Sequence, residues 1–215
     1  MLSTMSNRRL GAECAAIFVI FPLLLFFAKP HSWIYVMLWA MSLAAYAVLR
    51  LHYGYRFRAD WNAGALTKPV LKAMALRALP LAAALFIFTL LNVPQRLFSL
   101  PLEHPDRWAL VMLLYPVLSA TPQEILFRSF FFRRYGALFP AHTLTAASAL
   151  AFGWAHIVLH NWVAVTFCAA GGFIFARTYE KTKSLAAASL EHALYGCWVF
   201  TLGLGVYFYH GLAVT

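Results

Sequence analysis

Apolar residues fall in runs of about 20, the length a helix needs to cross a hydrocarbon core, and polar residues collect in the gaps between them. The first run, Gly11 to Ala28, follows a polar start that carries Arg8 and Arg9. That order resembles a signal peptide, but no small-residue cleavage pattern follows, so the run reads as a retained span. A turn at Lys29 to Ser32 leads to a second span, Ser32 to Leu51, where Trp33 and Tyr35 sit as interfacial anchors. From Arg50 to Arg77 the pattern changes: Arg56, Arg58, Lys68, Lys72 and Arg77 alternate with Trp61, Leu66, Val70, Leu71 and Met74. This stretch reads either as a basic helix on the membrane surface, merging into a third span, or as a solvated loop. The third span ends near Asn92, with a kink expected at Pro80. Residues 93–108, with Pro94, Pro101 and Pro105, form a polar connection. Four more spans follow: Trp108 to Arg134, His142 to His160, Asn161 to Arg177, and Ser184 to about Tyr209. The pattern therefore predicts an all-α fold, a polytopic transmembrane bundle of about seven to eight spans in which the basic stretch is a candidate interfacial helix. Residues 1–106 form one unit of spans and interfacial segment, and residues 107–215 a second.

Composition agrees with this pattern and excludes a soluble domain: 215 residues, 63% hydrophobic and 11% charged, with a mean hydropathy of +0.72. A net charge of +10 in a soluble chain would suggest nucleic acid. Here Lys and Arg sit in short loops between spans, which points to membrane topology and anionic lipids, with no nucleic acid. Arg8, Arg9, the Arg50 to Arg77 group, Arg133, Arg134, Arg177, Lys181 and Lys183 fall on one side, and only Lys29, Arg96 and Arg107 on the other. The richer side is expected to face the cytoplasm, with the N-terminus inside, in a multi-pass protein of a bacterial cytoplasmic membrane. Cys14, Cys168 and Cys197 lie in apolar segments without metal or redox spacing.

The candidate chemistry begins in the fourth span, where Glu124 and Arg128 interrupt an apolar run. An ionisable group inside the bilayer costs about 2.5–3.5 kcal/mol on insertion scales, so it reads first as a working group. Four residues apart, the two share a helix face and can pair. Three histidines, His156, His160 and His192, lie in later spans. At about 1.5 Å per residue, Glu124, His156 and His192 stand roughly 17, 23 and 12 Å from their helix ends, similar depths within boundary error. His160 lies one turn past His156, either on the same face or capping the helix, and Asn161 follows it. His156 and His160 also have the spacing of a helical zinc pair that His192 or Glu124 could complete, although Ile157 departs from the HExxH pattern. A haem between these histidines has no further support. The plain structural readings are an ion pair locking helices, a His156 that donates to a backbone carbonyl, and a His160 in interfacial water.

Gln123, Glu124 and Arg128, then Phe152 and His156, then His192 and Gly196 resemble, in order, the motifs Glu-Glu-x-x-x-Arg, Phe-x-x-x-His and His-x-x-x-Asn/Asp. These belong to the CAAX-protease and bacteriocin-processing family, the glutamate-dependent intramembrane proteases of type II CAAX prenyl endopeptidase kind. The resemblance covers roughly residues 107–200 and departs at Gln123, where the family has its first Glu, and at Gly196. It implies that residues 107–215 are a catalytic helical core and that the chain is an intramembrane endopeptidase. Its substrate would be a peptide or lipid-modified protein in the bilayer. Glu124 is then expected to activate water, with Arg128 as its paired cation. His156 would orient the water or bind the scissile carbonyl, and His192 with Asn161 would stabilise the oxyanion. Gln123 or Glu191 are further sources of polar contacts. No cofactor is required on this reading, zinc at His156, His160 and His192 being the metal variant. The competing readings are an inactive relative serving as membrane scaffold or immunity factor, and a small transporter that relays protons through Glu124 and the histidines.

Overall fold

The computed structural model describes residues 6–29 and 33–208, the side chains of residues 141 and 142 excepted. Residues 30–32 of the expected first turn, the last span's end at Tyr209, His210 and the His142 side chain lie outside the described residues. Nine helices and no strand are present among the described residues. They are α1 (Asn7–Ala28), α2 (Ile34–Tyr53), α3 (Phe57–Trp61), α4 (Lys68–Asn92), α5 (Ser99–Glu103), α6 (Pro105–Leu138), α7 (Ala141–Ala155), α8 (Trp162–Thr182) and α9 (Leu185–Thr201).

Five of them, α1, α2, α4, α6 and α8, are long and apolar enough to cross a membrane. Helix α7, with its 3-10 extension His156–Leu159, is a shorter apolar helix, and α9 carries Glu191 and His192. The chain is thus an all-α membrane bundle whose seven long helices follow the order of the apolar runs. Large apolar side chains such as Leu76, Leu79, Leu91 and Leu113 point outward, as they do where the solvent is lipid.

The basic stretch resolves into short pieces. Asn62, at φ +41°, ends α3, a 3-10 turn spans Ala63–Ala65, and Pro69 in the first turn starts α4. Pro80 lies inside α4. Helix α3 is tied inward: Ser184 Oγ donates to the carbonyl of Asn62 at 2.9 Å, and Arg133 pairs with Asp60 at 3.3 Å. Arg134 pairs with Glu13 at 2.7 Å and donates to Tyr53 at 3.2 Å. These contacts gather the basic segments of α1, α2, α3, α6 and the α8–α9 turn at one end of the bundle, as their grouping in the sequence requires. Arg96 lies at the other end, where its carbonyl meets Gly203.

Helix α6 is the axis. Its α-helical turns alternate with two π-helical segments, Pro116–Ala120 and Ile125–Phe130. Pro116 and Pro122 cannot donate to the carbonyl one turn back, and wide turns are one way a helix absorbs that loss. Ser42 of α2 lies 2.8 Å from the Pro122 carbonyl. Helices α7 and α8 meet through small residues: a Cβ on Gly153 would stand 2.6 Å from the Ala169 Cβ, an approach that glycine permits.

Candidate active site

Helix α6 presents two adjacent faces to the interior. On one, Glu124 and Arg128 are fully buried and form an ion pair, Nε to Oε2, of 2.9 Å, in which neither atom has an aligned hydrogen bond. The remaining guanidinium nitrogens donate to Ser148 Oγ of α7 at 2.9 Å and to the Gly172 carbonyl of α8 at 3.2 Å. The charge is thus held by partners on three helices, which is how a buried ion is tolerated in a medium of low dielectric constant. The other Glu124 oxygen lies 2.9 Å from His192 Nδ1 on α9.

Phe152 organises the imidazoles. His156 lies 4.8 Å from its ring, His192 5.4 Å, and the Arg128 guanidinium sits 5.1 Å above its face. Gly172 leaves room for this ring, since a Cβ there would stand 2.8 Å from Phe152 Cδ1. His156 Nδ1 is 2.8 Å from the Phe152 carbonyl; a carbonyl only accepts, so Nδ1 carries the proton and Nε2 is the lone-pair nitrogen of the neutral ring. His192 stacks on Phe175 at 4.6 Å and 11°.

Both histidines line a cavity of about 890 Å³ bounded by α1, α2, α4, α6, α7, α8 and α9. Most of its wall is apolar, including Phe21, Leu25, Met41, Leu85 and Phe88. Its polar groups include Tyr115, Ser119 and Gln123, a stripe at intervals of four along the second face of α6. Gln123 donates to Ser119 Oγ at 2.8 Å, and its carbonyl oxygen is buried without a partner. Glu124 is not among the residues lining the cavity.

Residues 105–198 match the model of one family, described as type II CAAX prenyl endopeptidase Rce1-like. The segment is similar to that family over less than half of the chain. No curated protein and no solved structure matches the chain. The Rce1-like match spans all three motifs, from Glu124 through His156 to His192, and the family's description is that of an endopeptidase.

Within this Rce1-like segment the structure brings Glu124, Arg128, His156 and His192 together. Two candidates do not join them. Asn161 caps α8: its Oδ1 accepts from the Ala164 N–H at 2.8 Å and its Nδ2 donates to the Tyr207 carbonyl at 2.8 Å, so both ends of its amide are committed away from the cavity. His160 adopts φ +55° where the 3-10 turn ends, and its ring stacks on Phe26 at 4.1 Å. The 3-10 turn His156–Leu159 interrupts the regular i, i+4 helical register on which the zinc alternative at His156 and His160 rests. Among the described residues no three of His, Cys, Asp and Glu gather as metal ligands. Glu191 likewise turns away from the cavity, bound by Arg77 at 2.9 Å and by Thr178.

Sequence reasoning missed Tyr115, whose hydroxyl lies 3.0 Å from His192 Nε2. The signal was the Tyr115, Ser119, Gln123 stripe, hidden because tyrosine and serine are unremarkable in an apolar span. It also missed Asp60, 3% exposed, which Tyr55, Ser129 and Tyr179 bind.

Proposed function

We propose that the chain is an intramembrane endopeptidase hydrolysing a peptide bond in a membrane-associated or lipid-modified protein, with His192 as base and Glu124 acting through it. One observation carries this reading: His192 is paired at 2.9 Å with a fully buried Glu124 in the wall of a cavity that also holds His156. A carboxylate on Nδ1 fixes the tautomer whose Nε2 is basic and stabilises the imidazolium that forms. The sequence alone assigned the water to Glu124 directly. Its engagement by Arg128 and His192, and its position behind the cavity wall, support an indirect role instead.

His156 Nε2 then accepts a hydrogen of the attacking water and orients it. One amide hydrogen of Gln123 is bound to Ser119; the second donates to the oxygen of the scissile carbonyl as charge develops there. Arg128 compensates the carboxylate inside the bilayer. The apolar wall takes a lipid-modified chain, and the basic end of the bundle faces the cytoplasm. No metal is required by these steps, so chelator treatment should leave cleavage unchanged.

The test is direct. Protein in liposomes is incubated with a prenylated peptide ending in a CAAX sequence, and the released fragment is read by mass spectrometry. Release by the wild type but not by Glu124→Gln is expected. A folded wild type that releases nothing from any lipid-modified peptide would sink the proposal. A second reading, an inactive relative that binds a peptide or lipid in the same cavity, draws on Gln123 standing where the family motif has glutamate. It predicts binding without cleavage, unaltered by Glu124→Gln.

A further inference from the structure

We infer that Tyr115 is the group through which His192 exchanges its proton with the cavity, in a seat that Gly196 leaves open. The catalytic consequence rests on the endopeptidase reading; the geometry does not. His192 has two ring nitrogens. Nδ1 is held by Glu124 at 2.9 Å and Nε2 by the Tyr115 hydroxyl at 3.0 Å, so neither is free to meet water. The ring has little room to swing, because Phe175 stacks on its face at 4.6 Å and Phe152 meets it edge to face at 5.4 Å. A proton entering His192 therefore passes through the hydroxyl of Tyr115, a residue that lines the cavity.

The seat is specific to this pair of residues. A Cβ on Gly196 would stand 2.1 Å from Tyr115 Cε1 and 2.3 Å from its Oη. Those distances are far inside van der Waals contact, so any side chain at 196 expels the phenol. Phe200 packs edge to face against the same ring at 5.4 Å and 64°.

The exchange balances without any further reactant. As the water oxygen bonds to the carbonyl carbon, one water proton passes to Tyr115 Oη and the tyrosine's own proton passes to His192 Nε2. The carbonyl π electrons move to oxygen. When the C–N bond breaks, the imidazolium returns its proton along the same hydroxyl to the leaving nitrogen. Tyr115 is thus a catalytic residue that touches the water, and Gly196 is the positioning residue that admits it.

Tyr115→Phe keeps the ring and removes the hydroxyl. Its kcat in liposomes should fall about 100-fold with KM unchanged, the scale of a lost proton-transfer group. Gly196→Ala should lose kcat although the hydroxyl is present, and the double variant should be no worse than the more impaired single one, since both act through one group. In protein labelled with ¹⁵N-histidine, the Nε2 signal of His192 should shift in Tyr115→Phe while Nδ1 keeps its Glu124 signature. Wild-type kcat in Tyr115→Phe, or losses that multiply in the double variant, overturns the inference. Should the wild type cleave nothing, the endopeptidase reading falls by itself. The spectrum then decides: an unchanged His192 Nε2 signal in Tyr115→Phe overturns the Tyr115 assignment, and a shifted one sustains it.

Discussion

Two buried carboxylates, Asp60 and Glu124, look alike by exposure, at 3% and 0%, and differ in what surrounds them. Asp60 is bound by the hydroxyls of Tyr55, Ser129 and Tyr179 and by Arg133, whose side chain is 45% exposed. Tyr55 lies outside the spans, and burial pushes its pKa up, so it stays a neutral donor across the physiological range. Asp60 is thus a clamp that ties α3 to α6 and α8. Glu124 shares its charge with Arg128 and an imidazole, and that imidazole opens onto a cavity. The difference teaches that burial alone does not mark a working acid. A carboxylate whose neighbours are hydroxyl donors holds structure, and one whose neighbour is a histidine facing open volume is equipped to move protons.

The sharpest way to break this contrast is Glu124→Ala. It should abolish cleavage and also destabilise by about 3–5 kcal/mol, because Arg128 is left buried without its partner. Thermal unfolding in detergent, alongside the liposome assay, checks both. His156→Ala removes only the group proposed to orient water, so kcat should drop about 10²-fold while the melting temperature stays near that of the wild type. Asp60→Asn should do the reverse: a stability loss of about 1–3 kcal/mol from weakened hydrogen bonds, with turnover per folded molecule unaltered. A large turnover loss there would erase the distinction between clamp and acid. The smallest effect is expected for His160→Ala, within about 0.5 kcal/mol and with normal cleavage, since that ring lies outside the site. Loss of activity in this variant would restore the zinc pair.

Much of this is legible in the sequence. Runs of about 20 apolar residues admit few folds, because backbone groups in lipid must be satisfied within the segment. Glu124, Arg128, His156 and His192 stood out for the same reason, being expensive where they sit. Asp60 was concealed in a basic, mixed segment where an acidic residue costs nothing in the unfolded chain. The sequence leaves His160 either on the face of His156 or capping the helix, and offers Asn161 as a polar partner for the site. The 3-10 turn at His156–Leu159 and the cap on Ala164 removed both.

Hydropathy and the spacing of rare polar residues determined the bundle, the grouping of basic segments at one end, and the four rare polar side chains of the site, since each follows from the solvent the chain must satisfy. Which of them faces open volume was decided only by tertiary packing. Burial of Glu124 behind His192, the seat of Tyr115 over Gly196 and the turning away of His160 and Asn161 depend on how closely helices approach and on where a helix tightens. Those are set between helices, and the sequence of any one helix does not contain them.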